Sequence, residues 1–364
     1  MRLANVVGTR PQLIKAAALQ SALRERHDEV FIDTGQHWDE AMAGSFFREL
    51  GLRPPDVTLD LGGGTGAEQT GRMLVALEGT LRDVAPDAVV VYGDTNSTLS
   101  ATLVAAKMNV PVAHVEAGLR SFDRRMPEEV NRIVVDHLAR WCFAPTDAAV
   151  ENLSAEGLTD GVHLVGDVMR DLAARTLIEV RKASALAGVA GGGLRTGEFL
   201  FATVHRAENR SPDAIRGWVG LLEALARADR PVVLALHPGT RAAIDALGLE
   251  PSPNVLVVEP LGYRSSLAAQ LHAAAVVTDS GGVQREAAWL GTPCLVLRSS
   301  TEWLETTEGD EATSILVGTD AVLAREALDR LAPPDRAPAD AARRARQQTI
   351  ETDGATGSIA RLIA

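Results

Sequence analysis

AVVVYGDTNSTLSATLVAAKMNVPVAHV, residues 88–115, decides the fold class. An apolar run, AVVVY, meets a turn, GDTNST, and NSTLSATLVAAKM then repeats its apolar residues at helical spacing before a second apolar run, VPVAHV. Short apolar runs alternating with amphipathic segments are the pattern of parallel βαβ units. The same alternation extends outward through LANVV, EVFIDT, DVTLDL and WCFAP, and then through a second series, EFLFATV, PVVLALH, NVLVVEP, AAVVTDS and PCLVLR. Between the two series GVAGGGLRTGE, residues 188–198, reads as a flexible connection. A Pro/Ala segment, LAPPDRAPADAARRAR, leads into a last helix. At 364 residues the chain exceeds a typical single core, so two doubly wound α/β domains with a cleft between them are expected. In such sheets ligands sit outside the carboxyl ends of the strands, and polar residues there carry the most weight.

Composition narrows the partners. A formal net charge of −12 argues against nucleic acid and anionic membranes, because no general basic field exists. A small anionic substrate stays compatible with local cations, of which Lys15, Lys107 and Lys182 are the only lysines. No apolar run approaches the roughly 20 residues of a membrane span. The opening MRLANVVGTRP reads as a strand entering a turn rather than a signal peptide. Cys142 and Cys294 each lie in an apolar run, which points to buried thiols and a cytoplasmic address.

Several strand ends carry chemistry. In GTRP, residues 8–11, Gly8 permits a tight turn and Pro11 suits a first helical turn, with Arg10 and Lys15 adding cations near an anion-attracting helix start. A plain βα turn explains this stretch equally well. TDSGGVQRE, residues 278–286, is more telling: Ser280, Gly281 and Gly282 expose backbone N–H groups suited to a diphosphate, and Glu286 lies one turn on, placed to accept from a ribose hydroxyl. A serine cap alone accounts for Ser280 but not for paired glycines. GDTNST puts Asp94 after its strand, where Asp94 or Thr95 serves as an ordinary helix cap. His205 and Arg206 end one strand of the second series, and His237 ends the next. No pair has metal-ligand spacing, so no metal site is expected. There is also no Walker lysine and no dinucleotide fingerprint.

HVEAGLRSFDRRMPEEVNR, residues 114–132, concentrates ionisable groups between a strand and a helix. Helix-dipole glutamates and surface pairing explain Glu128 and Glu129 tolerably. They do not explain Glu116, which directly follows a buried-looking strand. With Asp94 one strand earlier, Glu116 and Glu128 make a carboxylate cluster able to run acid/base chemistry. Glu129 is read as no more than a helix-start residue, and Arg120, Arg124 and Arg125 as ordering the loop.

Together GTRPQLIK, DTGQHWDEAM, VYGDTNSTL, HVEAGLRSFDRRMPEEVNR, TVHRAEN, LHPGTR, TDSGGVQREA and GTPCLVLRSSTEW resemble the non-hydrolysing UDP-N-acetylglucosamine 2-epimerases, in the family's order and over nearly the whole chain. The resemblance implies two Rossmann-like domains facing each other across a GT-B-like cleft. The domains are expected at residues 1–172 and 173–345, with 346–364 a helix returning to the first. It implies reversible C2 epimerisation of UDP-GlcNAc to UDP-ManNAc by elimination of UDP to a 2-acetamidoglucal and re-addition, without cofactor or metal, in a homodimer. By similarity Asp94, Glu116 and Glu128 match carboxylates of proton transfer, and His205 matches a histidine near the departing diphosphate. Arg10, Ser280, Gly281, Gly282 and Glu286 match nucleotide-binding positions, and Lys15, Arg206 and His237 are further candidates for binding the UDP-sugar.

Departures from the family pattern are Gln12 in place of glutamate, Ser266 in place of phenylalanine, and an altered TEWLETTEGDEATSILVG tail. Trp38 replaces an arginine of the family's activating second site, so activation by UDP-GlcNAc is expected to be weak or absent. The competing readings are a hydrolysing epimerase, a GT-B glycosyltransferase, an epimerase of a related UDP-hexosamine, and a non-catalytic nucleotide-sugar sensor.

Overall fold

The computed structural model describes residues 1–36, 49–190, 192–236, 238–309, 312–332 and 354–363. His237 and Trp38 lie outside these residues. The chain divides into two compact units, Met1–Leu172 with Thr352–Ala364, and Ala173–Glu351.

The first unit is built on a parallel sheet of β1 (Arg2–Val7), β2 (Asp28–Asp33), β3 (Val57–Thr58), β4 (Ala88–Tyr92), β5 (Val112–Val115), β6 (Trp141–Ala144) and β7 (Val162–Leu164). Its strand order is β3-β2-β1-β4-β5-β6-β7. The order reverses between β1 and β4, so the turns that follow these two strands emerge side by side at the carboxyl edge. The helices between them are α1 (Arg10–Arg24), α2 (Gly66–Val84), α3 (Asn96–Lys107), α4 (Pro127–Leu138), α5 (Asp147–Ala155) and α6 (Val168–Val180), the last running across the unit boundary. Thr65 and Glu68 close a reciprocal capping box at the start of α2.

Val6, Ile32, Val89 and Val91 pack against Met73, Leu77 and Leu81 of α2 and Ala101, Val104 and Ala105 of α3. Strands covered on both faces need apolar residues at every position, which is why AVVVY reads as a continuous run. Gly8 is set by close approach. A Cβ there would lie 2.1 Å from both Ser97 Oγ and Thr34 Oγ1, which are themselves hydrogen-bonded at 2.7 Å.

The second unit has the parallel order β10-β9-β8-β11-β12-β13. Its strands are β8 (Leu200–Val204), β9 (Val232–Leu236), β10 (Val255–Val258), β11 (Ala275–Thr278), β12 (Cys294–Val296) and β13 (Ser314–Leu316). Here the reversal falls between β8 and β11, and again brings two turns together. Helices α7 (Pro212–Leu225), α8 (Pro238–Ala246), α9 (Tyr263–His272), α10 (Gly281–Leu290) and α11 (Ala321–Leu331) flank the sheet. Leu200, Ala202 and Val204 face Trp218, Leu222 and Leu225, while Phe199 and Phe201 point to the opposite face with Val233, Ala269 and Ala273.

Two readings from sequence need correction. The stretch GVAGGGLRTGE is not a free connection, because it lies inside the second unit. Val189 is fully buried with Phe199 and Phe201, and the Gly197 amide donates to His272 O at 2.7 Å. Strands β7 and β13 also went unread, since each is a half-buried edge strand of three residues. A last helix, α12 (Ala355–Leu362), packs on α1 within the first unit. The Thr356 amide and hydroxyl donate to Asp171 Oδ2 at 2.9 and 2.8 Å, and His27 Nε2 donates to Ala360 O at 2.9 Å.

Candidate active site

The carboxyl edge of the first sheet gathers most of the predicted residues of that unit. Gln12, in the first turn of α1, is buried and works as a hub. Its Oε1 accepts from the Gly8 and Thr9 amides at 2.9 and 3.2 Å, and its Nε2 donates to Tyr92 O, Thr95 Oγ1 and Thr98 Oγ1 at 2.8, 2.9 and 2.8 Å. The amide thereby locks the Arg10-bearing turn to the Asp94-bearing turn. A carboxylate at residue 12 has no donor for Tyr92 O, so the departure from glutamate has a structural consequence.

Thr95, not Asp94, caps α3, its hydroxyl accepting from Thr98 N at 3.4 Å. That leaves the Asp94 carboxylate to pair with Arg132 of α4. Glu116 follows β5 in the left-handed region, at φ 73°, a conformation that costs a glutamate about 1–2 kcal/mol. Its Oε1 lies 2.7 Å from Lys15 Nζ, and both side chains are nearly buried. Lys15 reaches it across Gly93, where a Cβ would sit 3.1 Å from Nζ and 3.8 Å from Glu116 Oε1. Two carboxylates, each with its own cation, thus lie beside one turn.

Glu128 is exposed in the first turn of α4. Glu129 departs from its expected role: it is buried and anchors the preceding loop. Its carboxylate accepts from the Ser121 amide and hydroxyl at 2.8 and 2.9 Å, from the Phe122 amide at 2.9 Å, and from Arg132 at 3.0 Å. Burial alone raises its pKa, but the Ser121 donors and Arg132 outweigh burial and hold it below the ordinary glutamate range. Arg120 is buried against Asp136 and Glu156, whereas Arg125 pairs with Asp123 at the surface.

Glu129→Gln is expected to destabilise the first unit by about 1–3 kcal/mol at pH 7. Because the folded pKa is depressed, the stabilisation is complete above the unfolded value of about 4.3 and is lost as pH falls through the folded one. Thermal melts of wild type and variant should therefore differ at pH 7, and the difference should shrink as pH falls below the ordinary glutamate range.

In the second unit β11 delivers Asp279 into the core beneath His205. Asp279 accepts from the His205 amide at 3.1 and 3.2 Å, the Arg206 amide at 2.9 Å and Asn209 Nδ2 at 2.9 Å, and its Oδ1 lies 3.2 Å from His205 Nδ1. Burial raises its pKa, but His205, Asn209 and the Arg206 amide outweigh that and leave it depressed. A carboxylate at Nδ1 sets the ring's orientation and leaves Nε2 to exchange protons or hold an anion, while half the side chain is exposed.

Helix α10 starts at Gly281, with Ser280 as its cap accepting from Val283 N at 3.3 Å. A Cβ on Gly281 would meet Trp303 Nε1 at 2.8 Å and Glu302 Oε1 at 3.1 Å, so that glycine answers a packing demand. Gly282 meets only Ser280 Oγ, at 3.7 Å, and leaves the first turn open. Glu302 bridges Arg298 at 2.8 Å and Arg206 at 3.5 Å. Glu286 is buried and accepts from Gln270 Nε2 at 2.6 Å, which is itself 3.5 Å from Ser266 Oγ. Among the described residues no His/Cys/Asp/Glu cluster could hold a metal ion.

The UDP-N-acetylglucosamine 2-epimerase family model matches residues 21–363. The chain belongs to this family. A family relative, the UDP-2,3-diacetamido-2,3-dideoxy-D-glucuronate 2-epimerase of Pseudomonas aeruginosa, is 44% identical over 84% of this chain and 85% of its own. The UDP-N-acetylglucosamine 2-epimerase of Methanocaldococcus jannaschii is 39% identical over 87% of this chain and 88% of its own. A crystal structure of the M. jannaschii epimerase with UDP-GlcNAc and UDP superposes with a TM-score of 0.86 at 35% identity, covering 100% of this chain and 99% of that one. The likeness to the glycosyltransferase SnogD of Streptomyces nogalater, TM-score 0.58 at 17% identity over 100% of this chain and 98% of that one, shows the fold alone, two Rossmann-like parallel sheets of the GT-B-like kind.

For this member of the epimerase family, the residues missed from sequence are Asp279, which holds His205, and Arg132, which pairs with Asp94. Asp279 was legible as the last polar residue before SGG, yet nothing in its neighbours shows that it holds His205. Among the described residues no helix is long and apolar enough to cross a membrane.

Proposed function

We propose that the protein interconverts UDP-GlcNAc and UDP-ManNAc, a reversible epimerisation at C2 that keeps UDP and sugar together at equilibrium. One observation carries the chemistry: Glu116 with Lys15, and Asp94 with Arg132, stand as two cation-supported carboxylates beside one turn, in a chain of this family. In the forward step a carboxylate takes the C2 proton, the electron pair forms the C1–C2 double bond, and the C1–O bond breaks to release UDP. In the return step a UDP oxygen adds to C1 while a proton reaches C2 on the opposite face. Asp94, Glu116 and the exposed Glu128 supply the proton transfers. His205, oriented by Asp279, and the Ser280–Gly282 turn hold the departing diphosphate, with Arg10, Lys15, Arg206 and Glu286 as further substrate contacts. Two free, buried cysteines support a cytoplasmic address, and family likeness supports a homodimer.

A second substrate has a specific observation in its favour. The 44% identical relative from P. aeruginosa is named for UDP-2,3-diacetamido-2,3-dideoxy-D-glucuronate, which demands the same chemistry at C2. Proton NMR of the purified protein with each substrate separates the readings through the ratio of kcat/KM. UDP-GlcNAc should give a mixture with UDP-ManNAc and no free sugar. Accumulating UDP with free ManNAc would instead establish hydrolysis, and turnover only of the diacetamido substrate would reassign the sugar.

A further inference from the structure

Three successive carbonyls at the carboxyl end of β4 are each capped by a buried side chain from a different element. Gln12 of α1 donates to Tyr92 O, His114 of β5 to Gly93 O and Asn131 of α4 to Asp94 O, each at 2.8 Å. Here the chain leaves the sheet for α3, and buried carbonyls outside the ladder need donors. His114 differs from the other two in what stands behind it. Its side chain is fully buried, and Nδ1 lies 2.6 Å from Asp136 Oδ1. The other Asp136 oxygen accepts from Arg120 Nη1 at 2.7 Å and the Gly118 amide at 3.1 Å. Burial raises the Asp136 pKa, but His114 and Arg120 outweigh it and keep the carboxyl low. Ionised, Asp136 can only accept, as can the Gly93 carbonyl, so in this geometry both ring nitrogens of His114 donate. The ring is a rigid two-ended donor between the Asp94 turn and the connection that follows Glu116.

A strand needs no such group at a fully buried position, where an apolar side chain packs without desolvating charge. We propose that His114 is a positioning residue for proton transfer: through the Gly93 carbonyl it fixes the backbone from which Asp94 projects, while Asp136 only orients the ring. The assignment rests on reading Asp94 as a proton-transfer carboxylate. A displacement of about 1 Å at a reacting group costs about 10²-fold in rate.

Two isosteres separate the ends of the ring. In His114→Asn the amide nitrogen stands where Nδ1 does, keeping Asp136 and leaving Gly93 O unpaired. In His114→Gln it stands where Nε2 does and reaches Gly93 O. With UDP-GlcNAc, His114→Asn should lower kcat about 10²-fold with KM and UDP affinity little changed, and His114→Gln should stay within about 5-fold of wild type. Equal losses in both variants, or a loss carried by KM, overturn the assignment. Should His114→Asn fail to fold, a folded His114→Gln decides: near-wild-type kcat supports the role and a larger loss defeats it. Failure of both to fold assigns His114 to stability alone. An inactive wild type defeats both the functional reading and this assignment, whereas an active wild type with unseparated variants defeats only this one.

Discussion

Glu116→Gln is expected to lower kcat by about 10³-fold while UDP binds with little change, and Asp94→Asn should behave alike. The amides preserve shape and hydrogen bonding but can neither take nor give a proton at C2. In the proposed mechanism Glu116 carries that task, at some cost to the fold. It adopts φ 73°, is nearly buried, and lies 2.7 Å from Lys15 Nζ. Glutamine leaves Lys15 without its countercharge, so a stability loss of about 1–3 kcal/mol should accompany the catalytic one. Circular dichroism melts separate the two effects. A folded Glu116→Gln that turns over at the wild-type rate would remove this carboxylate from the mechanism.

Asp279→Ala should be the more damaging change to the fold, costing about 3–5 kcal/mol. The side chain is fully buried and satisfies the His205 and Arg206 amides and the Asn209 side chain. Alanine strands all three donors at the junction of β8 and β11. For a unit of this size each kcal/mol shifts Tm by about 2–4 °C, so a fall of roughly 10 °C is expected in calorimetry. His205 also loses the partner that orients its ring, and kcat should drop in the protein that remains folded. An unchanged Tm would mean that these amides find other acceptors and that Asp279 does not anchor the turn.

The fold was legible because doubly buried parallel strands demand continuous apolar runs, which AVVVY and VVLAL supply without ambiguity. The edge strands β7 and β13, short and half-buried, give no such signal. GVAGGGLRTGE looked like linker because Phe201, which packs in one cluster with Val189, and His272, which accepts from the Gly197 amide, are brought to it only by tertiary packing. At the site, residue types at strand ends pointed to Asp94, Glu116, His205 and the SGG turn. What sequence does not encode locally is pairing. Lys15 with Glu116 joins residues far apart in the chain, as do Arg132 with Asp94 and Asp279 with His205. Glu129 shows the converse error, since a helix-start glutamate and a buried loop anchor look identical in sequence.

The central claim is proton exchange at C2 without loss of the nucleotide, and one measurement tests it directly. UDP-GlcNAc incubated with the protein in D2O, followed by proton NMR, should lose its H2 signal as deuterium enters at C2 in both UDP-GlcNAc and UDP-ManNAc, with UDP still attached. UDP-ManNAc formed with H2 retained, or no exchange under conditions where Glu116→Gln and wild type behave alike, would contradict the account.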